Sequence, residues 1–142
     1  MRLALAEAKA AEAGGEVPVG AVVLRGEEVV GCGHNRTRQD NDPTAHAEML
    51  AIRQAAAHLG SWRLEGCTIY VTLEPCAMCA GAMVLARIPR LVFGAWDAKA
   101  GACGSVRNVV EDRRLNHRVA VQGGVLEQAC GEVLRVFFKK RR

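Results

Sequence analysis

A layered α/β domain is what this sequence predicts, on three observations. Runs rich in β-branched residues alternate with longer amphipathic stretches, the pattern of strands and helices that share one core. The first two β runs, Val17 to Leu24 and Val29 to Gly33, are separated only by Arg25-Gly26-Glu27-Glu28. That spacing makes a hairpin, so a purely parallel sheet is excluded. Half of the 142 residues are apolar and 24% are charged, enough to bury a core as a single domain over 1–142 and too apolar for a disordered chain.

Each element has a local reason. Met1 to Ala13 reads as a helix with Leu3, Ala6 and Ala10 on one face and Gly14-Gly15 as the stop. After the hairpin, Arg36 to Asp42 is polar and ends at Pro43. Thr44 then caps a helix predicted to reach about Leu59 through Met49, Ile52 and Ala56. Cys67 to Leu73, between Gly66 and Pro75, reads as a buried strand, followed by a helix from about Cys76 to Ala86 and a short strand over Leu91 to Phe93. Gly94 to Ser105 carries Gly94, Gly101 and Gly104 without periodicity, which predicts a functional loop. A short strand near Val119 to Val121 precedes a helix from about Val125 to Phe138, with Lys139-Lys140-Arg141-Arg142 behind it.

Charge is unevenly spread. Residues 1–100 hold ten Lys/Arg against eleven Asp/Glu, whereas residues 101–142 hold nine against four. A basic C-terminal third either attracts phosphates or is a solvated helix end favoured by the helix dipole, and sequence leaves both open. The longest uncharged run, Pro75 to Ala86, falls well short of the roughly 20 apolar residues of a membrane span. With an amphipathic opening that carries Glu7 and Lys9 in place of a secretory leader, the chain is expected to be soluble, cytoplasmic and free of the membrane. Six cysteines in that compartment point to metal or catalysis and not to disulfides. Cys32, Cys67, Cys103 and Cys130 stand alone and are expected in the core.

Two short patterns carry chemistry: His46-Ala47-Glu48 and Pro75-Cys76-Ala77-Met78-Cys79, each at a predicted helix start. One imidazole and two thiolates supply three donors for a tetrahedral, borderline-soft ion such as zinc. The fourth position stays open for water or hydroxide. Three residues apart in a first helical turn, Cys76 and Cys79 can turn both sulfurs to one point, where the helix N-terminal field favours thiolate. Glu48, two residues past His46, is a poor co-ligand but a good neighbour to an open coordination site, where a carboxylate can carry a proton. His34, His58 and His117 are expected at the surface or in local hydrogen bonds, with His34 near enough to the site to be considered there.

These motifs resemble those of the zinc-dependent nucleobase and nucleoside deaminases, and within them the tRNA-adenosine deaminases of the TadA type. The resemblance spans nearly the whole chain. Besides the two metal motifs, it rests on Glu16-Val17-Pro18-Val19-Gly20-Ala21, His34-Asn35-Arg36, Asp42-Pro43-Thr44-Ala45, Thr72-Leu73-Glu74 and Phe93 to Gly101. It implies a three-layer α/β/α cytidine-deaminase-like fold with a five-stranded mixed sheet. It also implies a homodimer with one zinc per subunit, and hydrolysis of adenosine to inosine at the wobble position of a tRNA anticodon stem-loop. Zinc hydroxide would attack C6, and Glu48 would protonate N1 and then the departing ammonia. By the same resemblance Asn35 hydrogen-bonds the purine, Val19 and Leu73 are pocket walls, Asp97 lies near the ribose, and Lys99 is a basic contact. Phe137 and Phe138 match the terminal helix segment that meets the anticodon loop, while packing in the core explains them equally well. Trp96 stands at a variable position, and the chain stops at Arg142, so RNA contacts from longer tails are not expected.

Two other readings compete. A sister enzyme acting on a free base or nucleoside, such as guanine or cytidine, would share the metal motif, because substrate choice lies in pocket shape and flanking contacts. A noncatalytic, zinc-stabilised RNA-binding module would share the ion, but has no use for a carboxylate beside an open position.

Overall fold

In the computed structural model, which describes residues 1–141, the elements are α1 (Arg2–Ala13), β1 (Gly20–Arg25), β2 (Glu28–His34), α2 (Ala47–Leu59), β3 (Cys67–Leu73), α3 (Ala77–Leu85), β4 (Arg90–Ala95), β5 (Ala120–Gln122) and α4 (Glu127–Lys140). The strands lie in the order β2-β1-β3-β4-β5. β1 is antiparallel to both β2 and β3, while β3, β4 and β5 run parallel. The sheet is therefore mixed, as the opening hairpin requires.

Register decides how the sheet is covered. Residues paired across strands share a face, so Ala21, Val23, Ile69, Val71, Leu91 and Phe93 line one side together with Gly31 and Gly33. That side packs with Ala51 and Ala55 of α2 and Ala80 and Met83 of α3 in one buried cluster. On the opposite side Gly20 meets Ala4 and Ala8 of α1, and Gly94 meets Cys130 of α4. Three layers result, helices over both faces of a five-stranded sheet.

α2 rests directly on the backbone of β2 because Gly31 has no side chain; a Cβ there would press into the Ala51 carbonyl and the Ala55 amide. Overpacking of this kind typically costs about 1–3 kcal/mol. Gly31→Ala is expected to lower the unfolding free energy by that amount, measured by urea unfolding, and an unchanged midpoint would mean that α2 is free to lift.

The structure departs from the sequence reading at element ends, each for a local cause. α2 starts at Ala47, not after Thr44, because the Thr44 amide and hydroxyl both donate to the Asp42 carboxylate, at 2.8 and 2.7 Å. His46 takes the cap position in extended conformation instead. β1 starts at Gly20 and not at Val17, since Pro18 has no N–H and the Val19 N–H turns back to the Val17 carbonyl at 2.9 Å. β4 extends through Gly94 and Ala95, so the irregular loop begins only at Trp96. Cys67, Cys103 and Cys130 are buried as expected, but Cys32, on the edge strand β2, is partly exposed. Lys139 and Lys140 belong to the last turn of α4, and Arg142 lies outside the described residues. Among the described residues no helix is long and apolar enough to cross a membrane.

Candidate metal centre

The N-termini of α2 and α3 converge beside the end of β3. His46 is the residue that caps α2, Cys76 caps α3, and Cys79 sits in the first turn of α3. Their donor atoms lie within 4.8 Å of one another, and among the described residues this is the only such His/Cys/Asp/Glu group. His46 Nδ1 is 3.6 Å from Cys76 Sγ and 3.5 Å from Cys79 Sγ.

Those separations test whether a metal fits. With bonds of about 2.1 Å to nitrogen and 2.3 Å to sulfur, tetrahedral geometry puts neighbouring N and S donors about 3.6 Å apart. Both nitrogen–sulfur separations match that spacing, and among the described residues no fourth His, Cys, Asp or Glu donor joins the three. The extended backbone at both caps explains the convergence. It turns the side chains of His46 and Cys76 off the helix axes and toward each other, next to the unpaired N–H groups of two first turns.

Electrostatics point the same way. Cys76 is held down to about 3, first by its hydrogen bond with Cys79 and then by His46. Cys79 is pushed up because it shares a proton with Cys76, and because it is buried. Contact with Cys76 raises His46, against the effect of burial. One thiolate stabilised by its neighbours is a donor set that a divalent cation can take over by displacing the remaining protons.

Glu48 is the other notable group. It is 4% exposed, and burial raises its pKa to about 6, more than its own backbone N–H and His46 lower it. A carboxyl poised near neutrality can both accept and return a proton. It faces a cavity of about 270 Å³ that His46 and Cys76 also line. Val19, Asn35, Leu73 and Asp97 line it too, whereas Cys79 lies buried behind it. The Asn35 amide is only loosely engaged, donating to the Val17 carbonyl at 3.5 Å and accepting from the Thr37 N–H at 3.4 Å. It retains capacity to pair with a ligand in the cavity.

The remaining positions singled out in the sequence lie outside this cavity. Lys99 is exposed on the loop that Asp97 opens, its N–H bonded to Asp97 Oδ1 at 3.0 Å. Phe137 is 3% exposed and packs edge-on against Phe138, which is 48% exposed. Trp96 stands edge-on to Phe93 at 4.8 Å and borders a separate open groove of about 690 Å³ against α4. His34 bonds Glu7, His58 lies near Glu28 and His117 bonds the Ile88 carbonyl, and none of these belongs to the cluster of His46, Cys76 and Cys79.

Sequence reasoning missed two buried carboxylates. Glu16, 1% exposed, accepts the N–H groups of Arg38 and Gln39 at 3.2 and 2.7 Å, which holds the 36–42 loop beside Asn35. Glu74, 2% exposed, accepts from the loop that carries Asp97. Burial pushes its pKa up, but donations from Asp97, Ser105 and Cys103 outweigh that and hold it below the usual carboxylate range. The signal was present: each is a charge inside an otherwise apolar segment next to a motif.

Comparison with known proteins adds to this geometry. The MafB19-like deaminase family matches residues 1–142. The tRNA-specific adenosine deaminase of Bacillus subtilis (strain 168) is 50% identical over 142 residues, covering all of this chain and 88% of its own. A solved structure from work on A-to-I editing by tRNA:A34 deaminases at the wobble position of transfer RNA is 46% identical, covers 94% of this chain and 97% of that one, and has a TM-score of 0.91. A guanine deaminase from Nitrosomonas europaea is similar at 25% identity over 96% of this chain and 81% of that one, with a TM-score of 0.81.

Proposed function

This chain belongs to the MafB19-like deaminase family, and we propose that it hydrolyses adenosine to inosine and ammonia at the wobble position of a tRNA anticodon. The observation that carries this reading is a buried carboxyl, Glu48, facing the same cavity as His46 and Cys76 with the amide of Asn35 also on its wall. A relative at 50% identity named a tRNA-specific adenosine deaminase, and a solved structure at 46% identity from work on A-to-I editing at the wobble position, support the choice of substrate over a free base, for which the similar guanine deaminase is 25% identical.

His46 Nδ1 and the sulfurs of Cys76 and Cys79 would hold zinc, one ion per subunit, with its fourth position left to solvent. When bound, zinc there supplies Lewis acidity that makes water nucleophilic near neutral pH. Glu48 would take one proton from the attacking water and deliver it to N1, then take the second from the new C6 hydroxyl and pass it to the amino group, so that the C6–N bond breaks, ammonia leaves and the C6 carbonyl of inosine forms. Asn35 would orient the purine by its amide. Val19 and Leu73 would sandwich the base and exclude solvent, which strengthens every electrostatic interaction inside the cavity. A base in a duplex or stacked loop cannot reach a cavity of about 270 Å³, so the target nucleotide must be extruded.

Asp97 at the cavity rim, with Lys99 on the same loop, suits the ribose and phosphate of that nucleotide. Phe138, Lys139 and Lys140 in the last turn of α4 and Arg141 just beyond it are exposed, and this aromatic and basic helix end suits the anticodon stem-loop. Phe137, being buried, would support Phe138 and not meet RNA. Residues 1–142 act in this reading as one catalytic domain, in the cytoplasm and as a homodimer. Leu85, 72% exposed on α3, contributes apolar surface available to such an interface.

The test offers an anticodon stem-loop with adenosine at the wobble position alongside free guanine, adenosine and cytidine. Inosine in the stem-loop with matching ammonia release is expected. Turnover of a free base alone would overturn the tRNA reading, and zinc-dependent RNA binding without turnover of any of them would favour a noncatalytic module.

A further inference from the structure

We propose that Glu74 is a positioning residue that sets Asp97 against the metal-binding motif, and so tunes recognition of the target nucleotide. The inference rests on the tRNA reading above for its substrate. Glu74 lies between Leu73, the last residue of β3, and Pro75-Cys76, and is 2% exposed. Its two oxygens hold four donors from one loop. Oε1 accepts the Asp97 N–H at 2.9 Å and the Ser105 hydroxyl, and Oε2 accepts the N–H groups of Cys103 and Ser105 at 3.1 and 3.0 Å.

The loop is shaped around that carboxylate. Gly101 passes so close that a Cβ would run into the Glu74 carboxyl group. Its N–H closes a turn on the Asp97 carbonyl at 2.9 Å, and the neighbouring Ala102 N–H reaches the Pro75 carbonyl at 2.8 Å. Asp97 Oδ1 in turn accepts the N–H groups of Lys99 and Ala100 at 3.0 and 3.2 Å, so its side chain is fixed within the same turn. Glu74, Asp97, Ala100 and Cys76 all line the cavity. Only Pro75, with its restricted φ, separates Glu74 from Cys76. The wall that meets the nucleotide is therefore registered to a metal ligand through one buried side chain.

Gln is the informative replacement. It keeps the size of Glu, but whichever way the amide is turned, its NH₂ faces backbone N–H donors where an oxygen stood, and at least one is left unpaired. Glu74→Gln is expected to keep its zinc and raise KM for the anticodon stem-loop by ~10-fold or more with a smaller change in kcat, since misplacement of a binding wall by even 1 Å is costly. The amides of 97–105 should exchange faster with solvent. In an Asp97→Ala background the same change should add little, because the side chain being positioned is gone. Ser105→Ala, at an exposed position, removes one donor without threatening the fold and should raise KM by a lesser factor.

If wild-type protein deaminates the stem-loop but Glu74→Gln and Ser105→Ala leave both KM and amide exchange unchanged, the proposal is overturned. It is also overturned if Glu74→Gln is as damaging in the Asp97→Ala background as in wild type, since that marks a general structural role. Failure of wild type to deaminate the stem-loop overturns the tRNA reading and with it the nucleotide-recognition part, whereas amide exchange still reports whether Glu74 holds the loop.

Discussion

Glu48→Ala is expected to retain zinc and fold while lowering kcat on the stem-loop by about a hundred- to ten-thousand-fold, the range that a positioned general acid–base group contributes. Glu48 is not among the three clustered donors, so the metal site survives its removal. Its position in the cavity and the upward push of burial on its carboxyl suit proton transfer. Glu48→Gln sharpens the test, because it keeps the size and shape of the side chain while replacing the ionisable carboxyl by a neutral amide that cannot carry the proton. Full activity in either variant, with normal zinc content, would exclude the proton-carrier role.

Cys76→Ala should have the other large effect, loss of the ion itself. Two donors, His46 and Cys79, would remain where three converge within 4.8 Å. Zinc sites with three protein ligands do not hold the ion comparably with two, so bound zinc should fall from about one per chain to a small fraction. Activity should fall with it, and the melting temperature should drop toward that of chelator-treated wild type. Cys130→Ala serves as the control, since that thiol is buried against Gly94 on the opposite side of the sheet. Equal zinc binding by Cys76→Ala and wild type would contradict the ligand assignment.

The cluster of His46, Cys76 and Cys79 was legible in the sequence because its chemistry is local. A three-residue spacing places Cys76 and Cys79 in one helical turn, and proline before Cys76 marks where that turn begins. The mixed sheet was legible for a similar reason, since a short Gly-containing link between β1 and β2 leaves no room for a crossover. What sequence did not reveal depends on tertiary partners. Thr44 looks like a helix cap until Asp42 is seen to claim its hydroxyl, and Phe137 and Phe138 look alike until packing buries one and exposes the other. Glu74 and Glu16 were passed over, despite their apolar surroundings in the sequence, because a carboxylate reads as surface by default. Only the folded loops supply the N–H groups that make burial tolerable.

Zinc-edge X-ray absorption on the purified protein tests the central claim most directly. Two sulfur donors at about 2.3 Å and two lighter donors at about 2.0–2.1 Å are predicted for each ion, with both sulfur contributions weakened or lost together in Cys76→Ala. A shell of three or four sulfurs, or zinc binding that survives substitution of Cys76 unchanged, would contradict a site built from His46, Cys76 and Cys79 with one position open to water.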